Sequence, residues 1–264
     1  MSSPKITLYT NRGCPWAHRA HIALKEVGVE YEEVTIDLTV PREPWYLEVN
    51  HVRDTNWNFG KSPSSPCLYP TYMLTQYLCL QRGLVPSLKY NGNIIIESGI
   101  VAQFIADAFP SHLSPPSGPA ENALYRAQQA VFIDAFMSKV VPNLFTSLRA
   151  GSDAERDAAA QAALVAIQKE VEPLLASTEG KGPFFGGSDK LTLAEVQTGS
   201  FILRLLAFSK PEHGLVSAKF PSLLEQTPRF KRWAEATAAH ESVNFIFDEK
   251  DVADRMRAKF APKV

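Results

Sequence analysis

The sequence predicts an α/β N-terminal half followed by an all-α C-terminal half. Over residues 1–109, segments of alternating and of helical apolar spacing take turns. A Pro/Ser/Gly stretch, Pro110 to Pro119, then breaks the pattern and reads as an interdomain linker. Over residues 120–264 every apolar repeat is helical. At 264 residues the chain is long enough for two ordinary domains.

The run Ile6-Thr7-Leu8-Tyr9 predicts a first strand over about Lys5–Thr10. A helix from Pro15 carries Ala17, Ala20, Leu24 and Val27 on one face, and Gly28 ends it. A second strand alternates Val34, Ile36 and Leu38 with Thr35 and Asp37. Much later, Leu84–Tyr90 and Ile94–Ile96 flank Asn91-Gly92, the strongest short-range hairpin signal. Glu97-Ser98-Gly99 opens a helix with Ile100, Val101, Phe104, Ile105 and Ala108 at helical spacing. The order βαβ then ββα is that of a thioredoxin-like domain. In the second half, Leu124, Val131, Phe132, Ala135 and Phe136 predict one amphipathic face. Residues 154–176 are Ala-rich, with Leu164, Ile167, Val171 and Leu174 periodic. Thr192-Leu193-Ala194-Glu195 has the form of a capping box and is read as nucleating a helix, with no chemical role. Phe230, Trp233 and Ala234 mark a further helix.

The residue that suggests chemistry is Cys14, in Thr10-Asn11-Arg12-Gly13-Cys14-Pro15-Trp16-Ala17. It follows a strand and a Gly turn. Pro15 is the first helical residue, where its missing N–H leaves nothing unpaired. The sulfur therefore stands among free N–H groups at the positive end of a helix. Such placement can lower a cysteine pKa from about 8.5 to roughly 3.5–7.5, and the thiolate is the nucleophile. Free cysteine is often only a small buried hydrophobe; the Gly-Cys-Pro turn favours the reactive reading. Position 17 is Ala, so no Cys-x-x-Cys partner exists in the motif and an external thiol is needed to resolve a disulfide, glutathione being the obvious candidate. His18 and His21 lie farther along the helix and are expected at a surface or interface rather than paired with the thiol.

Formal net charge is −1 and no basic block exists to neutralise phosphates, so no nucleic-acid partner is expected. The N-terminus has no charged-then-apolar leader, and no apolar run is expected to be long enough for a bilayer. The C-terminal residues Ala261–Val264 form no recognisable address. The expectation is a cytoplasmic protein with no membrane partner. Cys14, Cys67 and Cys79 suit neither a disulfide framework nor zinc, and no metal is expected.

These features together resemble a cytosolic glutathione transferase: a thioredoxin-like domain, a short linker and an all-helical domain. The form Cys14-Pro15-Trp16-Ala17 is most similar to the omega-like and glutathionyl-hydroquinone-reductase branches. The resemblance implies glutathione as co-substrate, Cys14 as catalytic residue, and a homodimer. It implies that Pro15 and Trp16 flank the glutathione site. It makes Pro86 a cis-proline that turns the Val85 backbone toward the cysteinyl unit of glutathione. It places Glu97 and Ser98 at the γ-glutamyl group, a role that free N–H groups at a helix start would suit. It sets Arg42, more loosely, toward the glycyl carboxylate. Other branches use a tyrosine near this point; Tyr9 is read as a strand residue instead. Phe132, Phe136 and Trp233 are given no role in the second substrate's pocket.

Residues 52–81 fit no element. The family runs almost directly from an Asn like Asn50 to the Arg82-Gly83-Leu84-Val85-Pro86 motif. A loop of that length within a compact domain is unusual. Val52-Arg53 can be encoded by a 5′ splice sequence, Leu74-Thr75 by a branch sequence and Cys79-Leu80-Gln81 by a pyrimidine tract ending in CAG. The segment is read as translated intron, which implies a eukaryotic source with short introns such as a filamentous fungus; a genuine lid loop is the alternative.

The function expected is a glutathione-dependent thiol transferase or reductase acting on a small disulfide or electrophilic substrate. It would act through a Cys14–glutathione mixed disulfide, in deglutathionylation, dehydroascorbate reduction or reduction of S-glutathionyl conjugates. The alternatives are conjugation of electrophiles and non-catalytic ligand binding.

Overall fold

The computed structural model describes residues 4–50, 83–178 and 182–260. Residues 52–81, with Cys67 and Cys79, lie outside the described residues. The chain forms two compact units, Met1–Asn11 with Tyr31–Glu97, and Arg12–Glu30 with Ser98–Val264.

The first unit is built on a four-stranded mixed sheet of order β2-β1-β3-β4. β1 (Ile6–Thr10) runs parallel to β2 (Glu32–Thr35) and antiparallel to β3 (Ser87–Tyr90), which pairs with β4 (Asn93–Ile96). The parallel β1–β2 pair requires a long crossover, and the intervening chain supplies α1 (Pro15–Val27). Asn91 and Gly92 both take positive φ, 47° and 89°, as a two-residue I′ hairpin turn demands. β2 begins and ends earlier than its apolar alternation suggests. Ile36 makes one more bond, N to Thr10 O at 2.7 Å. Asp37 then accepts from the backbone N and Oγ1 of Thr39, and this local turn diverts the chain before Leu38. A short helix, α2 (Pro44–Val49), went unseen in the sequence.

The second unit holds α1, α3 (Ser98–Ala108) and the helices beyond Pro119. α1 ends at Gly28, whose φ of 68° lets its N–H cap the Leu24 carbonyl. From Ala17 to Leu24 every residue of α1 is buried, because α3 and α7 (Leu193–Phe208) pack against it. His18 and His21 are therefore fully buried, which corrects the surface half of the surface-or-interface position expected of them; His18 lies where α1 packs on α7, beside Arg204.

α4 (Ala120–Ala135) continues through a π-type turn at Phe136–Val140 into α5 (Val141–Arg149). Against the expectation that no segment is long enough, the continuous helix Ala120–Arg149 is by length and hydropathy apolar enough to cross a membrane. Its Phe132, Phe136, Val140, Val141 and Leu144 are core residues here. Leu124 and Val131 are not on that face; they are 60% and 56% exposed. At 100° per residue they fall on a different side from Phe132 and Phe136. α6 (Asp153–Ala166) is capped by Ser152 and runs into another π-type turn, Ile167–Val171, then a 3₁₀ stretch, Glu172–Thr178. The changed winding brings Leu175 rather than Leu174 fully into the core.

The capping box at Thr192 forms, and Glu195 does more than close it. Its buried carboxylate also accepts from Trp233 Nε1 at 2.6 Å and Phe185 N at 2.8 Å. Phe132 and Phe136 meet Trp233 edge-on at 5.1 and 5.9 Å, so these aromatics are core. α8 (Phe220–Leu223), α9 (Pro228–Ala239), α10 (Glu241–Asn244) and α11 (Glu249–Phe260) complete the unit.

Candidate functional site

Cys14 is the N-cap of α1, with extended φ/ψ of −80° and 121°, Pro15 following, and no acidic residue in the first turn. Its carbonyl accepts the first helical bond, from His18 N at 3.1 Å. The thiol is half-buried and free. Ser200 Oγ donates to the Pro15 carbonyl at 2.8 Å and so ties the helix start to α7. Trp16 is 39% exposed and meets Phe201 edge-on at 4.8 Å.

Two buried arginines stand around this helix start, and the sequence reading passed over both. Arg19 donates from Nε to Gln197 O at 2.7 Å and from Nη1 to Ser98 Oγ at 3.1 Å. Its guanidinium lies 5.1 Å from the Trp16 ring and 5.3 Å from Phe201, and burial pulls its pKa down to about 10. Arg204, on α7, donates to the carbonyls of Gly13 at 3.1 Å and Ser200 at 2.9 Å, with His18 Nδ1 at 3.3 Å. Burial pulls it, too, down to about 10. The buried His18 imidazole is held well below the usual range, by burial first and then by Arg204 and His21. A signal for Arg204 does exist in the sequence. It is the one charged residue between Val196 and Phe208, and a lone charge in a buried apolar helix needs a reason.

A cleft of about 310 Å³ opens beside Trp16 and Arg19. Gln103, Arg126 and Gln129 give it polar walls, and Ile133 and Met137 apolar ones. Ser98, at the start of α3, is buried with its oxygen engaged by Arg19.

The remaining expected residues belong to the first unit, apart from Cys14, Pro15, Trp16 and Ser98. The Val85–Pro86 peptide is cis. The chain entering it is braced: Tyr46 Oη donates to Leu84 O at 2.6 Å, and Asn50 Nδ2 to Ser87 Oγ at 2.7 Å. Arg42 donates from Nε to Gly83 O at 3.0 Å and from Nη1 to Asp37 O and Val40 O at 2.8 and 2.6 Å. It thus binds the loop before α2 to the chain before Pro86. Glu97 is exposed and takes a left-handed φ of 69°, an unusual setting for a residue with a side chain. Tyr9 is a buried strand residue whose hydroxyl pKa is raised by burial and by Glu32.

Among the described residues, Glu212, His213 and Glu249 approach closely enough to suggest a metal. Lys210 Nζ already contacts both Glu249 oxygens, at 2.8 and 2.7 Å, so the cluster is an ion-pair network.

Residues 13–108 match the sequence model described as "Glutathione S-transferase, N-terminal domain". Over 251 residues the chain is 26% identical to glutathione transferase omega-1 of Caenorhabditis elegans, covering 93% of this chain and 82% of that protein. It is likewise 26% identical to glutathione S-transferase omega-1 of Sus scrofa, covering 92% and 81%. Of solved structures, glutathione transferase Omega 2C from Trametes versicolor aligns over 98% of this chain and all of that one, at 26% identity and a TM-score of 0.70. The chain has the glutathione transferase fold. Over most of its length it is similar to proteins named omega-class glutathione transferases.

Proposed function

We propose that this protein is a glutathione-dependent thiol transferase or reductase with Cys14 as its nucleophile. The observation that carries the proposal is a free, half-buried cysteine at the N-cap of α1, followed by Pro15. Relatives carrying the omega-class name over most of the chain support the glutathione-dependent chemistry.

In the first step the Cys14 thiolate attacks the glutathione sulfur of a mixed disulfide. The Cys14–glutathione disulfide forms and the substrate's sulfur leaves as thiolate. A second glutathione thiolate attacks the glutathione sulfur of that disulfide, releasing oxidised glutathione and restoring Cys14. With a phenacyl-type conjugate the carbon leaving group departs as an enolate and takes a proton from water. With dehydroascorbate the Cys14 thiolate adds to a carbonyl carbon. A first glutathione thiolate attacks the Cys14 sulfur and expels ascorbate, which takes its protons from water. A second glutathione resolves the Cys14–glutathione disulfide, so two glutathiones supply the two electrons. For binding, the Val85 backbone and Pro86 would hold the cysteinyl unit, with Pro15 and Trp16 beside it. Glu97 and Ser98 would meet the γ-glutamyl group, and Arg42 the glycyl carboxylate. Ser98 suits its part: its oxygen accepts from Arg19, so its proton remains to donate to a carboxylate. Conjugation is the second reading, since a glutathione thiolate bound there would also attack electrophiles. Cysteine is a poor choice for it, because it is trapped as a disulfide. A homodimer working in the cytoplasm completes the proposal.

The test compares wild type, Cys14→Ala and Cys14→Ser on a glutathionylated disulfide, dehydroascorbate, a phenacyl-glutathione and an aryl halide. Cys14→Ala should lose reductase activity, by a factor on the order of 10³ or more. Cys14→Ser should gain modest conjugating activity. Full reductase activity in Cys14→Ala would overturn the mechanism.

A further inference from the structure

We infer that Arg204 is a positioning residue for the nucleophile: a buried cation whose counter-charge is the Cys14 thiolate. The inference rests on Cys14 being the nucleophile, as proposed above.

Arg204 is 2% exposed, on a helix buried along almost its whole length. Burying a cation is unfavourable unless an opposite charge or a full set of acceptors meets it. Its partners are neutral: two carbonyls, the Nδ1 of a histidine held uncharged, and the Phe247 ring 5.1 Å away. Its Nε has no hydrogen-bond acceptor among the described residues. No carboxylate there lies within ion-pair distance of it.

The carboxylates on neighbouring elements are engaged elsewhere. Glu195 shares its helix but lies nine residues away, about 13 Å at helical rise, and is held by Thr192, Phe185 and Trp233. Asp107 pairs with Arg126, Glu235 with Lys231, Glu241 with Lys25 and Glu249 with Lys210, while Glu121 and Asp134 of α4 are exposed to solvent. Glu26 lies beside His112 and His240, and Asp248 accepts from Asp251 N. The other ionisable groups near the α1 start are Arg12, Arg19, His18 and His21, none of them an anion.

One anion remains. Arg204 Nη2 holds the carbonyl of Gly13, the residue bonded to Cys14. A thiolate at Cys14, one residue from that contact, would favour the Arg204 cation. In a trans peptide C=O and N–H point oppositely. Gripping Gly13 O therefore fixes the Cys14 N–H in the opposite direction. The guanidinium sets the geometry of the turn and supplies the field that favours loss of the Sγ proton to water.

The test is iodoacetamide alkylation of Cys14 against pH, read at the Cys14 peptide by mass spectrometry. It needs no substrate and no turnover, so it is independent of the activity assays. Arg204→Met should slow alkylation about 10-fold or more near neutral pH, and its rate should converge with wild type in alkali, because the thiolate is still available there. Arg204→Lys, which keeps the charge, should recover most of the rate. A folded Arg204→Met with the wild-type profile would overturn the inference. If Arg204→Met does not fold, the reciprocal measurement decides. Cys14→Ser should lower the melting temperature relative to wild type more at about pH 8 than at about pH 5, since the counter-charge exists only when the thiol is ionised. A pH-independent difference would overturn the inference equally.

Discussion

Burial gives His18 a second role, as a determinant of acid stability. The folded protein holds this imidazole neutral, well below 6.5, through burial, Arg204 and His21. The unfolded chain takes up a proton at about pH 6.5 and the folded chain does not. Below that pH the unfolded state binds more protons, so stability falls as pH falls, until the lowered folded value is reached. One such group contributes a slope of about 1.4 kcal/mol per pH unit. His18→Gln keeps an acceptor for Arg204 and removes the titration. Between about pH 7 and pH 5, urea unfolding of wild type should lose about 2 kcal/mol more than the variant, the slope difference approaching that value only below about pH 6. Equal slopes would mean that His18 carries a proton in the folded state. Arg19 poses a related case: a buried guanidinium with two hydrogen-bonded acceptors and two aromatic rings around it, whose field and packing both reach the start of α3.

Among the elements, the connection from α2 to β3 depends on one glycine. Gly83 has φ of 52°, and a Cβ there would stand 2.7 Å from Arg42 Cγ. Alanine at that position would be strained in its backbone and would push Arg42 off the Gly83 carbonyl. Gly83→Ala should cost about 1–3 kcal/mol of stability. If Val85 and Arg42 hold glutathione as proposed, its KM for glutathione should also rise several-fold while Cys14 alkylation stays unchanged. An unchanged KM would remove Arg42 and Val85 from the proposed binding set. The Thr192 capping box acts at the other end of the molecule's logic. It starts α7 at a fixed residue, and that start decides where Arg204 falls, three turns on.

Across the whole molecule, residues 52–81 separate Asn50 from the Val85–Pro86 turn in sequence. They lie outside the described residues, and the intron reading remains a proposal. Loop closure costs only about 0.6 kcal/mol per doubling of length, so a fold tolerates such a segment. A variant joining His51 to Arg82 should melt no lower than the full chain and bind glutathione more tightly. Sequencing spliced message from the source organism is the independent check. Mature transcripts that keep the segment, together with weaker glutathione binding on its removal, would establish it as a true loop.

Local physics left its mark in the sequence, and what it governs was legible there. The Asn91-Gly92 hairpin, the Pro15 start and Gly28 stop of α1, and the Thr192 capping box all follow from backbone needs that single residues meet. The thiol at a helix start belongs to the same class. The cis Val85–Pro86 peptide came from family resemblance, since residues alone favour trans. Tertiary structure alone decided burial where periodicity breaks down. α1 is covered on every side, so its histidines and Arg19 are interior. π-type turns shift which leucine faces the core after Ile167, and Leu124 and Val131 turn outward from the face they were assigned. The meeting of Arg204 with the Gly13 carbonyl joins residues 191 positions apart. No local pattern encodes such a pair; it exists because α1 and α7 pack together.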